Sequence, residues 1–374
     1  MQYKRLSEIA TSVQYGYTAQ ETSQQGVYKY LRITDIVPYY PNFETVPYCA
    51  IDNDEAQKYL LSEGDIVIAR TGATTGYNFV VTKKIPPTVF ASYLIRFRVD
   101  ETQAYPKYIK YVLKSKPYYG FVANYVGGSA QPGMGAKVFA RFPVPLPPLP
   151  TQRAIAEKLG RYDALIENNT RRIAILETKA EQLYKEWFVR RRFPGRSTTT
   201  SATLPPGWIV EKLGKLLDVK YGKDHKKLPD GDVPIFGSGG LMRYGNKALH
   251  DGEAVLIPRK GSLNNIMYFS GAFWTVDTMF YGVPRLPFLA KYLYMTLSKI
   301  DMASFNTGAA LPSMTTDILN HMKVTLPASD ILEAFDKKVS KLFALKVNLH
   351  RQNALLAKER DLLLPRLMSG RVKP

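Results

Sequence analysis

Between residues 151 and 192 the apolar positions fall on one stripe. Ile155, Leu159, Tyr162, Ile166, Asn169, Ile173, Leu176, Ala180, Leu183 and Trp187 follow one another at alternating steps of four and three, apolar at every position but Asn169. That is a heptad seam. Gly160 alone interrupts a stretch otherwise free of proline and glycine from Thr151 to Phe193. A helix over 151–192 would run roughly 63 Å at about 1.5 Å per residue. It cannot cover its own stripe and needs a partner along its whole length. Thr151 is placed to cap its start, and Pro194-Gly195 to stop it.

The partner lies at the end of the chain. Shifted by 180 residues, the seam becomes Phe335, Val339, Leu342, Lys346, Leu349, Asn353, Leu356, Arg360, Leu363 and Leu367, mostly apolar and in the same phase. The segments before the two helices also repeat. Gly64-Asp65-Ile66-Val67-Ile68-Ala69-Arg70-Thr71-Gly72 is answered by the run from Gly252 through Arg259-Lys260-Gly261, with one residue inserted. Lys107-Tyr108-Ile109 is answered by Lys291-Tyr292-Leu293, the glycine loop at Gly128 by that at Gly308, and Val144-Pro145-Leu146-Pro147 by Val324-Thr325-Leu326-Pro327. So many landmarks in one order indicate a duplication. The predicted fold is α+β: two similar mixed α/β domains, 1–147 and 204–327, separated and joined by two long antiparallel coiled-coil helices, 148–193 and 328–374, with pseudo-twofold symmetry and a serine–threonine linker at 194–203. With Ile155 level with Leu367 and Trp187 level with Phe335, Asn169 falls level with Asn353; facing buried asparagines fix register at some cost in stability. In the first domain, strands are expected at 29–33, 65–70, 79–82 and 93–99, a helix at 105–119 and a further strand at 141–146.

Composition narrows the class. The 374 residues carry a net charge of +19, and each of the four duplicated parts holds an excess of four or five positive charges. An even basic excess suits a polyanion that engages the whole molecule. The single cysteine, Cys49, excludes an internal disulfide. With no signal-like apolar core at the start and no apolar run of membrane-spanning length, a soluble cytoplasmic protein without membrane contact is expected.

Enzyme signatures are missing. There is no G-x-x-x-x-G-K-[ST] phosphate loop, and Gly237-Ser238-Gly239-Gly240 lacks the third glycine of a dinucleotide fingerprint. No Asn-Pro-Pro-aromatic motif of amino-methyltransferases is present, and Glu177-Thr178-Lys179, which imitates the end of a nuclease motif, lies inside the heptad helix. His225, His250, His321 and His350 are isolated, without metal-ligand spacing. No catalytic or metal site is expected.

What remains is donor chemistry at turns. Arg70 and Arg259 end equivalent strands before a glycine, where an arginine either bonds guanine bidentately, holds a phosphate, or makes a structural ion pair. Thr71, Thr74, Thr75 and Tyr77 extend the first turn, and Lys260, Ser262, Asn264 and Asn265 the second. Gly128, Ser129 and Gln131 in the first glycine loop and Thr307 in the second bring backbone near a phosphate or simply turn the chain. Tyr15 and Tyr17, and Lys220, Tyr221 and Lys223, add aromatic or basic groups, although a tyrosine serves equally well in a core or at its rim.

The run Pro145-Leu146-Pro147-Pro148-Leu149-Pro150-Thr151-Gln152-Arg153-Ala154-Ile155-Ala156, the helix end Leu183-Tyr184-Lys185-Glu186-Trp187-Phe188-Val189, Leu204-Pro205-Pro206-Gly207-Trp208 and the closing Leu364-Pro365-Arg366-Leu367-Met368-Ser369-Gly370 strongly resemble specificity subunits of type I restriction–modification systems. The resemblance spans essentially the whole chain. It departs at Pro327-Ala328-Ser329-Asp330-Ile331-Leu332, which lacks the glutamine–arginine run of the first helix start. The resemblance implies two target recognition domains reading the halves of a split, asymmetric site in double-stranded DNA. The paired helices would set the spacer and dock methyltransferase subunits, two being expected, with restriction subunits joining them. The subunit itself would hold no cofactor; S-adenosylmethionine, ATP and Mg would belong to its partners. The reading to set against it is a basic coiled-coil scaffold that binds nucleic acid or acidic protein without sequence specificity.

Overall fold

The computed structural model describes residues 2–22, 26–37, 41–126, 133–194, 203–306 and 312–374. The chain forms two compact units, residues 1–168 with 352–374, and residues 169–351. Each joins a globular domain to one stretch of each long helix.

In the first unit, Gln2–Arg5 pairs antiparallel with Pro143–Leu146, tying the start of the domain to its end. A four-stranded antiparallel sheet follows, in the order Ala10–Tyr15, Leu94–Val99, Asp65–Ala69, Asn78–Val80. A second small sheet holds Glu21–Thr22, Tyr48–Cys49, Lys29–Leu31 and Thr88–Phe90. In Asp65–Ala69 every residue is buried, as the unbroken apolar run Ile66-Val67-Ile68-Ala69 requires of a central strand. Tyr108, Phe97, Phe139 and Ile9 fill the core beneath it, together with Ile155 and Leu159 of the central helix and Leu364 and Leu367 of the distal one.

The second unit repeats the scheme. Ile209–Lys212 pairs with Lys323–Leu326. Leu217–Tyr221, Met279–Pro284, His250–Pro258 and Met267–Thr275 lie in the order of the first sheet, and the hairpin Val233–Gly237 and Gly240–Gly245 extends it to six strands. Matching contacts carry the duplication into atoms. The Tyr108 hydroxyl donates to the Pro145 carbonyl, and the Tyr292 hydroxyl to that of Thr325. Each tyrosine pins the helix behind the sheet to the strand that leads into a long helix.

The central helix spans Leu149–Tyr184 and the distal one Ser329–Met368. No seam residue is exposed: Ile155, Leu159, Asn169, Ile173, Trp187, Phe335, Val339, Leu349 and Leu367 are buried, and Tyr162, Ile166, Leu176, Leu183, Leu342, Asn353, Leu356 and Leu363 are half-buried. The helices run antiparallel in both units. In the first, Arg360 reaches Asp163 at 2.7 Å and Lys158 reaches the Lys373 carbonyl at 3.0 Å. In the second, Lys346 reaches Glu177 at 2.5 Å and Trp187 packs on Phe335 at 5.9 Å. Asn169 and Asn353 fall in different units.

Several boundaries differ from expectation. The central helix begins at Leu149, so Thr151 is not its cap. Pro150 in the first turn has no N–H to satisfy, and the Pro148 carbonyl already accepts from the Gln152 N–H at 3.0 Å. The α-helix ends at Tyr184 in a π-helical turn, Lys185–Val189, and Arg191 at φ 56° breaks the chain away before Pro194. The helix expected at 105–119 is two helices, Pro106–Val112 and Lys116–Val126, because Pro117 lacks the N–H that would bond back across the break. The strand expected at 29–33 stops at Leu31; the Asp35 carboxylate accepts from the Arg32 N–H at 2.8 Å and starts a helical turn, Ile33–Ile36. Among the described residues no helix is long and apolar enough to cross a membrane.

Candidate nucleic-acid interface

The two domains build one constellation twice. The strand Ala10–Tyr15 delivers Tyr15 to the sheet end, and Asp65–Ala69 delivers Arg70 beside it, its guanidinium carbon 4.9 Å from the centre of the tyrosine ring. In the second unit, Arg259 lies 5.5 Å over the Tyr221 ring. Behind each arginine the backbone is fixed identically. The Arg70 carbonyl accepts from the Met134 N–H and that of Arg259 from the Met314 N–H, both at 2.8 Å. Thr71 then bridges to Gly133 and Lys260 to Ser313. The Tyr15 hydroxyl accepts from the Ala136 N–H at 3.1 Å, and the Tyr221 hydroxyl lies 3.3 Å from Thr316 Oγ1.

Glycine sits where the backbone demands it. A Cβ on Gly16 would lie 2.2 Å from the Ala91 carbonyl oxygen, and one on Gly222 would lie 2.0 Å from that of Val276. Gly72 and Gly261, at φ 74° and 82°, turn the chain sharply after the arginine strands. Those turns leave both guanidiniums at a sheet end, half-buried and without a carboxylate partner among the described residues. Arg259 donates one Nη1 bond to the Asp277 carbonyl at 3.1 Å. Tyr15 is 44% exposed and Tyr221 51%, so both pairs face solvent.

The other candidates divide. Lys223 and Ser262 are exposed; Lys220 lies beside Asp218 at 3.3 Å; Tyr77 stands at the surface against Tyr119. Thr74 and Thr75 shape the turn: the Thr74 carbonyl accepts from the Tyr77 N–H, and buried Thr75 donates Oγ1 to the Gly72 carbonyl at 2.7 Å. Tyr17 packs on Tyr59 at 5.3 Å. Asn264 braces Asp301 and the Ala303 N–H, and Asn265 donates to the Ser238 carbonyl. Gly128, Ser129, Gln131 and Thr307 lie outside the described residues.

Sequence reasoning missed the joints between domains and helices. In the first unit Asp163 is buried and takes Lys110 at 2.5 Å, Arg360 at 2.7 Å and the Tyr111 hydroxyl at 2.7 Å. Burial alone would raise this carboxyl, but the two cations outweigh it and hold it below the usual range. Burial pushes the neighbouring Lys114 down to about 8, and Lys110 and Arg360 push the same way. In the second unit buried Lys291 bridges Glu253 and Asp336, the latter at 3.0 Å. A charge placed next to seam residue Tyr162, as Asp163 is, was the available signal.

The family model described as type I restriction modification DNA specificity domain matches residues 1–178 and again 205–353. The chain belongs to that family. A type I restriction enzyme specificity subunit of Methanocaldococcus jannaschii, MjaIX, is 23% identical over 307 residues, covering 71% of this chain and 69% of the relative. A second from the same organism, MjaVIII, is 22% identical over 350 residues, covering 85% and 81%. The S subunit of a type I restriction–modification system from M. genitalium has a similar fold, with a TM-score of 0.57 at 17% identity over 98% of this chain and 95% of that one. A type I specificity subunit, a protein of DNA recognition, is what the family membership makes this chain, and its two family matches coincide with the two copies of the tyrosine–arginine constellation.

Proposed function

We propose that this specificity subunit reads a bipartite, asymmetric site in double-stranded DNA, one half with the domain at 1–147 and the other with the domain at 204–327. The observation that carries the proposal is the paired constellation, Tyr15 with Arg70 and Tyr221 with Arg259, repeated at the sheet ends of two domains that differ elsewhere. Two related but unequal readers suit two unequal half-sites. The net charge of +19 supports a polyanionic ligand.

The segments 148–193 and 328–374 act, on this proposal, as spacer and docking platform. A continuous helix of 36 residues spans about 54 Å and resists bending, which suits a part that sets a distance. Methyltransferase subunits dock on it and supply S-adenosylmethionine chemistry on adenine; restriction subunits, with ATP and Mg, complete the nuclease. The chain contributes recognition and no catalysis, in the cytoplasm.

The test is co-expression with a methyltransferase subunit and mapping of methylated adenines. A split site with a constant unread spacer is expected. Methylation without sequence preference, or at one undivided site, would overturn the proposal in favour of a non-specific basic scaffold.

A further inference from the structure

The two constellations are the same, yet the half-sites they serve are proposed to differ. A group present at the same place in both readers, on the same backbone support, cannot supply the difference between them. What it can supply is a contact common to every sequence, and in duplex DNA that is the phosphate backbone.

We propose that the Tyr15–Arg70 and Tyr221–Arg259 pairs are sequence-independent phosphate grips, and that the bases are read by neighbouring side chains that differ between the units. The assignment rests on the DNA-reading function above. Three observations carry it. Neither guanidinium is neutralised by a carboxylate among the described residues, so each keeps its charge for an external anion. Each guanidinium lies against a tyrosine ring, which holds it by a cation–π contact. And the surroundings change where the pairs do not. The carbonyl that accepts from the Arg70 N–H belongs to Tyr93, 60% exposed, whereas the carbonyl serving Arg259 belongs to half-buried Thr278. The residue after the arginine is Thr71 in one unit and Lys260 in the other. Beyond Gly16 the chain enters a separate small sheet, whereas beyond Gly222 it enters the hairpin Val233–Gly237 and Gly240–Gly245 that extends the main sheet.

The experiment uses the full chain and a library of duplexes with a randomised stretch. Bound DNA is sequenced, and affinity for the selected duplex is measured across a salt series. Arg70→Ala and Arg259→Ala should each weaken binding roughly tenfold, as loss of a charge-assisted hydrogen bond does. Each should also flatten the dependence of log affinity on log salt by about 0.9, the value of one phosphate contact. The selected sequence should stay unchanged. Arg70→Lys, which keeps the charge but not the bidentate fork, should keep the wild-type salt slope and sequence. A changed base in the sequence selected by Arg70→Ala or Arg70→Lys, or unaltered affinity and slope in both alanine variants, would overturn the assignment while leaving the DNA-reading function intact. A wild-type chain that selects no sequence would overturn that function and this assignment together.

Discussion

The two domain–helix joints occupy equivalent places and share an apolar base, Ile155, Leu364 and Leu367 in the first unit and Phe335, Tyr184 and Trp187 in the second, but what is added to that base differs. In the first unit the addition is a buried polar network. Gln152 accepts from the Tyr105 N–H at 2.8 Å and donates to the Pro147 and Gln103 carbonyls, while Lys110, Tyr111 and Arg360 converge on Asp163. In the second unit the position answering Gln152 is Leu332, 1% exposed, and the joint is aromatic. Phe188 meets Phe335 and Tyr292 at 4.7 Å each, and Tyr184 and Trp187 close around them. Charge remains where Lys291 reaches Asp336 and Glu253 and where Lys299 pairs with Glu181. The lost glutamine–arginine run at the second helix start is therefore a change of adhesive, not of architecture. A buried polar network and a packed aromatic cluster can hold the same geometry, but they fail differently. The first collapses when one partner is removed and others are left unsatisfied; the second loses stability in proportion to the volume removed.

That contrast can be broken experimentally. Asp163→Asn removes the carboxylate that Lys110 and Arg360 share, leaving Arg360 its pair with Asp361, and should cost about 3–5 kcal/mol in urea denaturation. Phe335→Ala, in the aromatic joint, should cost a similar 3–5 kcal/mol through its cavity. The sharper test is the combined replacement Lys110→Met, Tyr111→Phe, Asp163→Leu, Arg360→Met, which removes the Asp163 carboxylate together with the two cations and the hydroxyl that converge on it. A polar joint converted to an apolar one should fall within about 1 kcal/mol of the parent or exceed it; a loss as large as that of Asp163→Asn would show that the network does more than adhere. Gln152→Leu copies the second joint's residue into the first and leaves the Tyr105 N–H unpaired, so it should cost about 1–3 kcal/mol.

The smallest effect is one of slope. Lys114 titrates at about 8 in the folded protein, against about 10.4 when unfolded. Between these values the unfolded chain binds more protons, so this group makes stability rise with pH across that window. Stability measured at pH 8 and pH 10 should therefore rise less in Lys114→Met than in the parent; equal changes in the two would remove Lys114 as the cause.

The heptad steps from Ile155 to Trp187 named both long helices and their partnership, because a seam that must be covered leaves its period in the chain. Arg70 and Arg259 were legible from repeated landmarks, since a strand followed by a glycine turn constrains residue type locally. The break at Pro117 was legible too, but the apolar pattern running through it concealed the two helices it separates.

Other features had no local mark. Nothing near Tyr15 or Tyr221 announces an arginine from a strand dozens of residues away, and Thr75, Asn264 and Asn265 look like ligand donors until their partners are seen to be the protein's own turns. Period, turn chemistry and duplication were written in the chain, because they follow from what neighbouring residues do to one another. Which cation meets which carboxylate, which tyrosine carries which guanidinium, and whether a buried joint is polar or aromatic were settled on folding, because those interactions join residues that only packing brings within a few ångströms.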